Sequence, residues 1–380
     1  MKKTMIAILV GAALAATGSA YAQVGNSATA TQIGSENTST ITQDGVSNNT
    51  AATNQSASGN TATIVQAGGG VGQDGNTVKI TQDSANNTAT NLQTNSWYST
   101  SVITQTVGTG NTIRNEATDA DFSRQTLTQS GAGNRISAFA VADLSSLEAT
   151  QNGDNNQATI SQLTAAWPSF SDNQDNLQLL LQQTGTGNVA NLTQTAGADL
   201  TTTVTQSGTA NQIITDQKGN GNTLTSLQDG DGNYANLTQG GTNVVATMTQ
   251  KGTLNTIVSD QSGSSNTLTA WQEGASNYAN LSQGAGSDLS GDITQIGQKN
   301  WIQFTQSGTG NSAIAKQTSD GLGNAAYLTQ SGAYNDAKVT QLGESNLAKV
   351  DQSMVGTALA RNSVTVSQTG TKLVATLTQR

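Results

Sequence analysis

Asp229, Asp231 and Asn233, within QDGDGNYANLTQ (228–239), have a spacing similar to that of calcium loops. Oxygen donors at alternate positions suit a hard cation such as calcium. A helix–loop–helix calcium loop also needs a Gly after its third ligand and a distal Glu. Tyr234 follows instead, and Asn236 after it, with no Glu. The reading adopted is a turn built from Asp and Gly. Nucleophilic, acid–base and zinc chemistry have few carriers, because the chain has no Cys and no His. Asp216, Lys218 and Asp260 recur at repeat-equivalent positions, as scaffold residues do, and not as one catalytic wall of a polysaccharide-cleaving β-helix. Thr-rich runs such as Thr201-Thr202-Thr203 and Thr247-Met-Thr249 raise the possibility of ice binding. The other outward positions mix Asp, Lys, Asn and Trp, so β-propensity is the preferred explanation. The sequons at Asn191 and Asn236 fall at inward strand positions, and glycosylation is not expected there. No catalytic, cofactor-binding or metal-binding residue is expected, and the chain is read as not an enzyme.

A second pattern fills the chain. A Gln, a Gly two places on and an Asn three places after that begin at Gln32, Gln43, Gln129, Gln151, Gln183, Gln206, Gln217, Gln228, Gln250, Gln261, Gln272, Gln295, Gln306, Gln330 and Gln341, with degenerate copies at Gln82, Gln239 and Gln283. From Gln206 to Gln283 the step is a constant eleven residues. That period also suits a right-handed coiled coil, but the interior of the unit rejects a helix. In Asn255-Thr-Ile257-Val-Ser259-Asp-Gln261 and Asn300-Trp-Ile302-Gln-Phe304-Thr-Gln306, the amides and apolar or small residues alternate with polar or outward ones. Period two predicts a strand. The motif glycines Gly208, Gly219, Gly230, Gly252, Gly263, Gly274, Gly297, Gly308, Gly332 and Gly343 supply the positive φ of the connecting turns.

Two strand–turn units close a rung of about 22 residues, and rungs stack as parallel strands do, about 4.8 Å apart. The predicted fold is all-β: a β-solenoid of stacked strand–turn–strand rungs. Residues 23–380 predict roughly sixteen rungs and a column on the order of 75 Å. The amides at the inward corners then stack in ladders, each donating and accepting along the column. The predicted ladder residues are Gln206, Asn211, Gln217, Asn222, Gln228, Asn233, Gln239, Gln250, Asn255, Gln261, Asn266, Gln272, Asn277, Gln283, Gln306, Asn311, Gln330, Asn335, Gln341 and Asn346. A longer repeat is also present, since 206–249 aligns with 250–294.

Composition agrees with this architecture. Aromatics are 4%, charged residues 10%, Pro a single residue and Gly 41 of 380. That is too little large apolar side chain for a globular core of this length, and too little charge and Pro for a disordered chain. A net charge of −9 disfavours nucleic acid as a partner. Residues 1–22 read as a secretory signal peptide, with Lys2 and Lys3, an apolar run from Met5 to Ala16 and an Ala20-Tyr21-Ala22 cleavage site. Nothing in the chain reads as a membrane-spanning segment. The predicted organisation is N-terminal rungs over 23–93, degenerate or loop-bearing rungs over 94–182, and a regular solenoid over 183–380. Trp167-Pro168-Ser169 is expected to be the most exposed loop. The array is expected to run through QTGTKLVATLTQR (368–380) to the end.

These repeats resemble the curlin repeats of the bacterial extracellular amyloid subunits called curlins. The family pattern is Gln-x-Gly-x-x-Asn, then five residues, then Gln. It is met by Gln206-Gly208-Asn211-Gln217, by Gln261-Gly263-Asn266-Gln272 and by Gln330-Gly332-Asn335-Gln341. The resemblance implies a secreted, cell-surface fibre of a Gram-negative-type bacterium, serving adhesion and biofilm matrix. Its implied partners are further copies of itself, a nucleating curlin subunit, an outer-membrane secretion pore and periplasmic accessory proteins. Familiar curlins have about five rungs and a Gly-rich secretion-targeting segment. Here there are more rungs, and repeat-like sequence follows the cleavage site at once. Asp44, Asp74, Asp216, Asp229 and Asp260 are candidate gatekeepers that moderate assembly, through repulsion of like charges stacked between rungs and through charges that slow edge-to-edge pairing. The alternative function is a monomeric β-solenoid adhesin or ice-binding protein.

Overall fold

The computed structural model describes residues 25–44, 48–68, 75–163, 176–195 and 198–380. The expected signal peptide, Asp74 and Trp167-Pro168-Ser169 lie outside the described residues. Within them every regular element is a strand, and no helix is long and apolar enough to cross a membrane.

The chain divides into two compact units, Met1–Asp199 and Leu200–Arg380. The first holds β1 (Ser27–Gln32), β2 (Thr38–Asp44), β3 (Thr50–Gln55), β4 (Thr61–Ala67), β5 (Thr77–Gln82), β6 (Thr88–Thr94), β7 (Thr100–Val107), β8 (Thr112–Thr118), β9 (Arg124–Ser130), β10 (Arg135–Val141), β11 (Ser146–Asp154), β12 (Gln157–Leu163), β13 (Gln178–Thr186) and β14 (Val189–Thr195). The second holds β15 (Thr201–Thr209), β16 (Gln212–Lys218), β17 (Thr223–Asp231), β18 (Tyr234–Gln239), β19 (Val245–Thr253), β20 (Thr256–Gln261), β21 (Thr267–Ala275), β22 (Tyr278–Ser287), β23 (Ser290–Gln298), β24 (Trp301–Thr309), β25 (Ser312–Ser319), β26 (Ala325–Gln330), β27 (Asn335–Glu344), β28 (Leu347–Gln352), β29 (Asn362–Thr371) and β30 (Val374–Gln379).

In each unit every odd strand pairs in parallel with the next odd strand, and every even strand with the next even one. This is a β-solenoid, with one odd and one even strand per coil: seven coils among the described residues of the first unit and eight in the second. The coil is 22 residues between Gln206 and Gln228, and lengthens to 32 between Gln151 and Gln183. Insertions enter at turns, so coil count falls slightly below the length-based expectation while the strand register survives.

The alternation sets the core. In the coil of β17 and β18, Leu224, Ser226 and Gln228 of one strand and Ala235, Leu237 and Gln239 of the other are all buried. Thr223, Thr225, Tyr234 and Asn236 face outward and are half-buried, and Asn191 is outward and exposed. The two sequon asparagines are therefore not at the inward positions expected of them: they lie an odd number of residues from the buried Gln of their strands. Small inward residues keep the two sheets close, so a large one needs local compensation. Phe304 of β24 is fully buried opposite Gly291 of β23. A Cβ at Gly291 would lie 3.0 Å from the Phe304 ring and 2.7 Å from Leu268.

Candidate functional site: amide ladders and open coils

Odd and even strands carry an inward Gln near their ends in every coil of the second unit, because the Gln lies an even number of residues from the apolar core positions. In the second unit these amides form two unbroken ladders. Gln206 Nε2 donates to Gln228 Oε1 at 2.8 Å, Gln228 to Gln250 at 2.9 Å, Gln250 to Gln272 at 3.0 Å and Gln272 to Gln295 at 2.8 Å. The even-strand ladder runs from Gln217 to Gln239 at 2.8 Å, then to Gln261 at 3.2 Å and Gln283 at 2.8 Å, then through Gln306 and Gln330 to Gln352. The odd-strand ladder continues through Gln317 and Gln341 to Gln368. The other N–H of each amide reaches a backbone carbonyl at the facing corner, as Gln228 reaches Gln212 O at 2.9 Å and Gln250 reaches Tyr234 O at 2.9 Å. These ladder Gln side chains are buried, and their bonding is nearly complete in a low-dielectric interior, where an unmet amide is costly. Gln317 and Gln368 begin no full motif. The signal for them was position alone: an inward Gln one coil after another.

All of these bonds point one way. Nε2 of each Gln donates to the coil that follows in sequence, so a ladder presents Oε1 at its N-terminal side and Nε2 at its C-terminal side.

The asparagines behave differently from the simple ladder expected of them. Asn255 Nδ2 donates to Lys251 O at 3.0 Å in its own turn, to Gly274 O at 3.1 Å in the next coil and to Asn233 Oδ1 at 3.1 Å. Its Oδ1 accepts the Asn277 backbone N–H at 3.1 Å. Asn is thus a turn cap as well as a ladder residue, its Nδ2 donating to the Asn of the preceding coil where one stands there. The columns show this: Asn211, Asn233, Asn255 and Asn277 are consecutive, whereas Asn222 and Asn266 are followed by Val244 and Leu289. There the backbone N–H of Val244 and of Leu289 still bonds to the preceding Asn Oδ1, at 2.8 and 2.9 Å. Asn311 caps its turn at Ser307 O and accepts the Asn335 N–H, and Asn346 bonds to Leu342 O and Gly370 O.

The ten motif glycines named above have φ between 83° and 125°. Gly252 shows what that requires. Its φ is 99°, and a Cβ there would lie 2.1 Å from Gly274 O in the next coil. The glycine corner is a site of backbone-on-backbone stacking as well as of positive φ. A second left-handed residue two places later is Gly in some coils, as at Gly232 (φ 64°) and Gly310 (63°), and went unrecognised in the sequence because other coils fill it with Leu254 (55°), Ser276 (56°) or Tyr334 (53°).

The four described gatekeeper candidates do not stack on like charges. Asp44 faces Ala67, Asp216 faces Thr238, and Asp260 lies between Thr238 and Ser282. Asp216 pairs with Lys218 at 2.8 Å. Asp229 stands in a column with Ser207, Lys251 and Glu273, an alternation of sign. Asp229, Asp231 and Asn233 are not gathered around a common point: Asn233 turns inward to its ladder while Asp229 faces out. No group of three or more His, Cys, Asp or Glu side chains converges among the described residues.

In the first unit the odd-strand ladder is continuous from Gln32 through Gln55, Gln82, Gln105, Gln129 and Gln151 to Gln183. The even-strand ladder stops at Gln93, because Ala117 and Ala140 occupy the next two positions, and resumes at Gln162. Gln93 Nε2 and Gln162 Oε1 consequently lack partners. Corners in the same stretch exchange Asn for Ser99, Ser123 and Ser145. Asp121 there accepts the Trp97 N–H at 2.7 Å, while Asp143 accepts the Asp121 N–H at 2.8 Å. Burial pushes the Asp121 carboxyl up to about 6; the Trp97 bond opposes this, and Asp143 and Asp119 add to it.

Among the described residues, β1 and β2 pair on one side only, with β3 and β4, and β29 and β30 pair on one side only, with β27 and β28. The inward residues Ala375, Leu377 and Gln379 of β30 are half-exposed, because no further coil covers them. Gln368 and Gln379 give one N–H each to backbone carbonyls, at Leu347 O and Ser363 O, and none to a further amide.

Residues 24–45 match the family model of the curlin-associated repeat. The matched segment is one coil, β1 and β2, and contains Gln32, Gly34, Asn37 and Gln43. The match identifies this segment as a curlin-associated repeat, and strand pairing repeats a coil of the same kind within each unit. No curated protein matches the chain.

Proposed function

We propose that the chain is the structural subunit of a secreted, curli-like extracellular amyloid fibre, which grows by adding the open coil of one copy to the open coil of another. The observation that carries this reading is the one-way Gln ladder combined with one-sided edge strands. An edge strand offers a row of unpaired backbone N–H and C=O groups. The first coil also offers the Oε1 atoms of Gln32 and Gln43, and the last coil offers the Nε2 groups of Gln368 and Gln379. Donors at one side meet acceptors at the other, so an incoming copy continues both ladders in register. A curlin repeat and a solenoid core of stacked amides support a structural role over a catalytic one. Export by the N-terminal signal, passage through a curli-type outer-membrane pore with periplasmic accessory proteins, and a nucleating subunit follow from the same reading. Adhesion and biofilm matrix are the roles it assigns to the fibre.

The test is to purify residues 23–380 in denaturant, dilute, and follow thioflavin binding and electron micrographs. The expected result is unbranched β-rich fibres after a lag that preformed seeds abolish. A chain that stays monomeric for days at tens of micromolar, roughly where open edges should associate, would favour the monomeric adhesin.

A further inference from the structure

A repeat protein is most informative where its columns stop repeating. In the second unit that happens over Gly310. The residues at the corner before the odd strands run Asp288, Gly310, Tyr334 and Arg361 in successive coils, and the first outward strand positions run Ser290, Ser312, Asp336 and Ser363. Together they form a cup of about 590 Å³ lined by Asp288, Ser290, Ser312, Tyr334, Asp336 and Arg361. Gly310 makes the floor: a Cβ there would lie 2.8 Å from the Tyr334 ring. The wall is held by Arg361, which ends the irregular connection between β28 and β29. Its Nε donates to both Asp336 oxygens at 2.7 Å, its Nη2 donates to Gly310 O at 2.6 Å, and its guanidinium lies 5.9 Å from the Tyr334 ring centre. Asp288, on the opposite wall, is exposed and forms no ion pair among the described residues.

We propose that this cup binds one hexopyranose ring of an extracellular polysaccharide, with preference for a sugar that carries a free amine. A half-buried Tyr ring offers a surface for the apolar face of a pyranose. Ser290, Ser312 and Asp288 offer donors and acceptors for its ring substituents. Charge then sets the preference. Arg361 is neutralised by Asp336, so the cup retains the single negative charge of Asp288, which attracts an ammonium group and repels a uronate. The inference does not depend on fibre growth.

The test is calorimetric titration of the purified full chain with three disaccharides of the same linkage: glucosamine-based, glucose-based and glucuronate-based. The expected order of affinity is amine, then neutral, then uronate. Asp288→Asn weakens the amine disaccharide about tenfold, the difference between a charged and a neutral acceptor, and leaves the neutral one nearly unchanged. Tyr334→Asn, whose side chain tolerates the left-handed backbone, weakens both. Asp229→Asn, which removes an equal charge elsewhere, changes neither. Equal weakening by Asp229→Asn and Asp288→Asn would reduce the effect to general attraction by an acidic chain and overturn the proposal. So would uronate binding as tight as amine binding, or no binding of any of the three. Unchanged circular dichroism in each variant separates loss of the cup from loss of the fold.

Discussion

The block from Gln206 to Gln283 and the stretch from Gln93 to Gln162 have the same strands, the same pairing and similar outward chemistry, but different interiors. In the first, the amide at each corner has a partner above, below and across. In the second, Ala117 and Ala140 remove two amides from one ladder, and side-chain amides nearby hold atoms without partners: Asn91 Oδ1, Gln93 Nε2, Asn115 Oδ1, Gln125 Nε2 and Gln162 Oε1. In the regular block the unpartnered atoms are Thr215 Oγ1, Asp216 Oδ1 and Ser259 Oγ, none of them a ladder amide. Strand pairing alone therefore suffices to continue the solenoid, since β8, β10 and β12 keep their register across the gap. The ladder adds satisfied polar groups and a direction. A coil without it still stacks but no longer specifies through its interior which coil comes next.

The contrast is broken or sharpened by substitution. The largest effect is expected from changing Gln228, Gln250 and Gln272 together to Leu. Orphaned donors, acceptors and corner carbonyls at about 1–3 kcal/mol each sum to several kcal/mol, read as a large fall in the urea midpoint. Thr225, Thr247 and Thr269, outward in the same strands, are each expected to cost under about 0.5 kcal/mol. Gly252→Ala comes next, at about 2–4 kcal/mol, because it combines a left-handed backbone with a backbone clash. If that variant unfolds at the parent's urea concentration, the stacked-glycine corner is not constraining the coil.

The same substitution in the two regions gives a smaller and more pointed difference. Gln250→Leu removes two ladder bonds and one corner bond and is expected to cost about 2–3 kcal/mol. Gln93→Leu removes a side chain whose Nε2 already has no partner, and is expected to cost about 1 kcal/mol, mainly by stranding Gln66 Nε2. Equal losses would mean that the gap is not a weak point.

The smallest effect is a pH dependence confined to the irregular corners. The carboxyl of Asp121 titrates near 6 when folded, against 3.8 when unfolded. The folded chain therefore holds more protons between those values, and the stability of this corner falls as pH rises from about 4 to about 6. Asp121→Asn should flatten that part of the urea-midpoint profile. A profile unchanged by the substitution would assign the pH dependence to other acids.

Much of this was legible in the sequence, and the limits have physical causes. Period two placed Gln228 and Leu224 on one face and Thr225 on the other, because side-chain direction in a strand depends only on parity. Gly252 announced its turn through residue type. Leu254 did not, because a left-handed Leu looks like any other Leu until its neighbours force the conformation. The role of Asn255 as a turn cap depends on which carbonyls come near, and one-dimensional spacing cannot distinguish that from a ladder. Ladder direction is likewise a matter of amide orientation. The gatekeeper expectation considered charge without register: Asp229 lies beside Lys251, one coil on, and not beside another acid.

The most direct test of templating changes only the open coil. Gln368→Leu with Gln379→Leu removes the ladder ends at β29 and β30, where inward residues of the last strand are already half-exposed; the coil behind loses one acceptor on each ladder, for Gln341 and for Gln352, and the ladders further back keep their bonds. Thr365→Val with Thr376→Val alters outward positions of the same strands. Growth from preformed wild-type seeds is then timed for both double variants. Ladder-guided addition predicts elongation at least about tenfold slower for the Gln pair, the equivalent of one lost buried hydrogen bond, and a rate near that of the parent for the Thr pair. Equal elongation rates for the two would contradict the claim that interior amides guide the joining of copies.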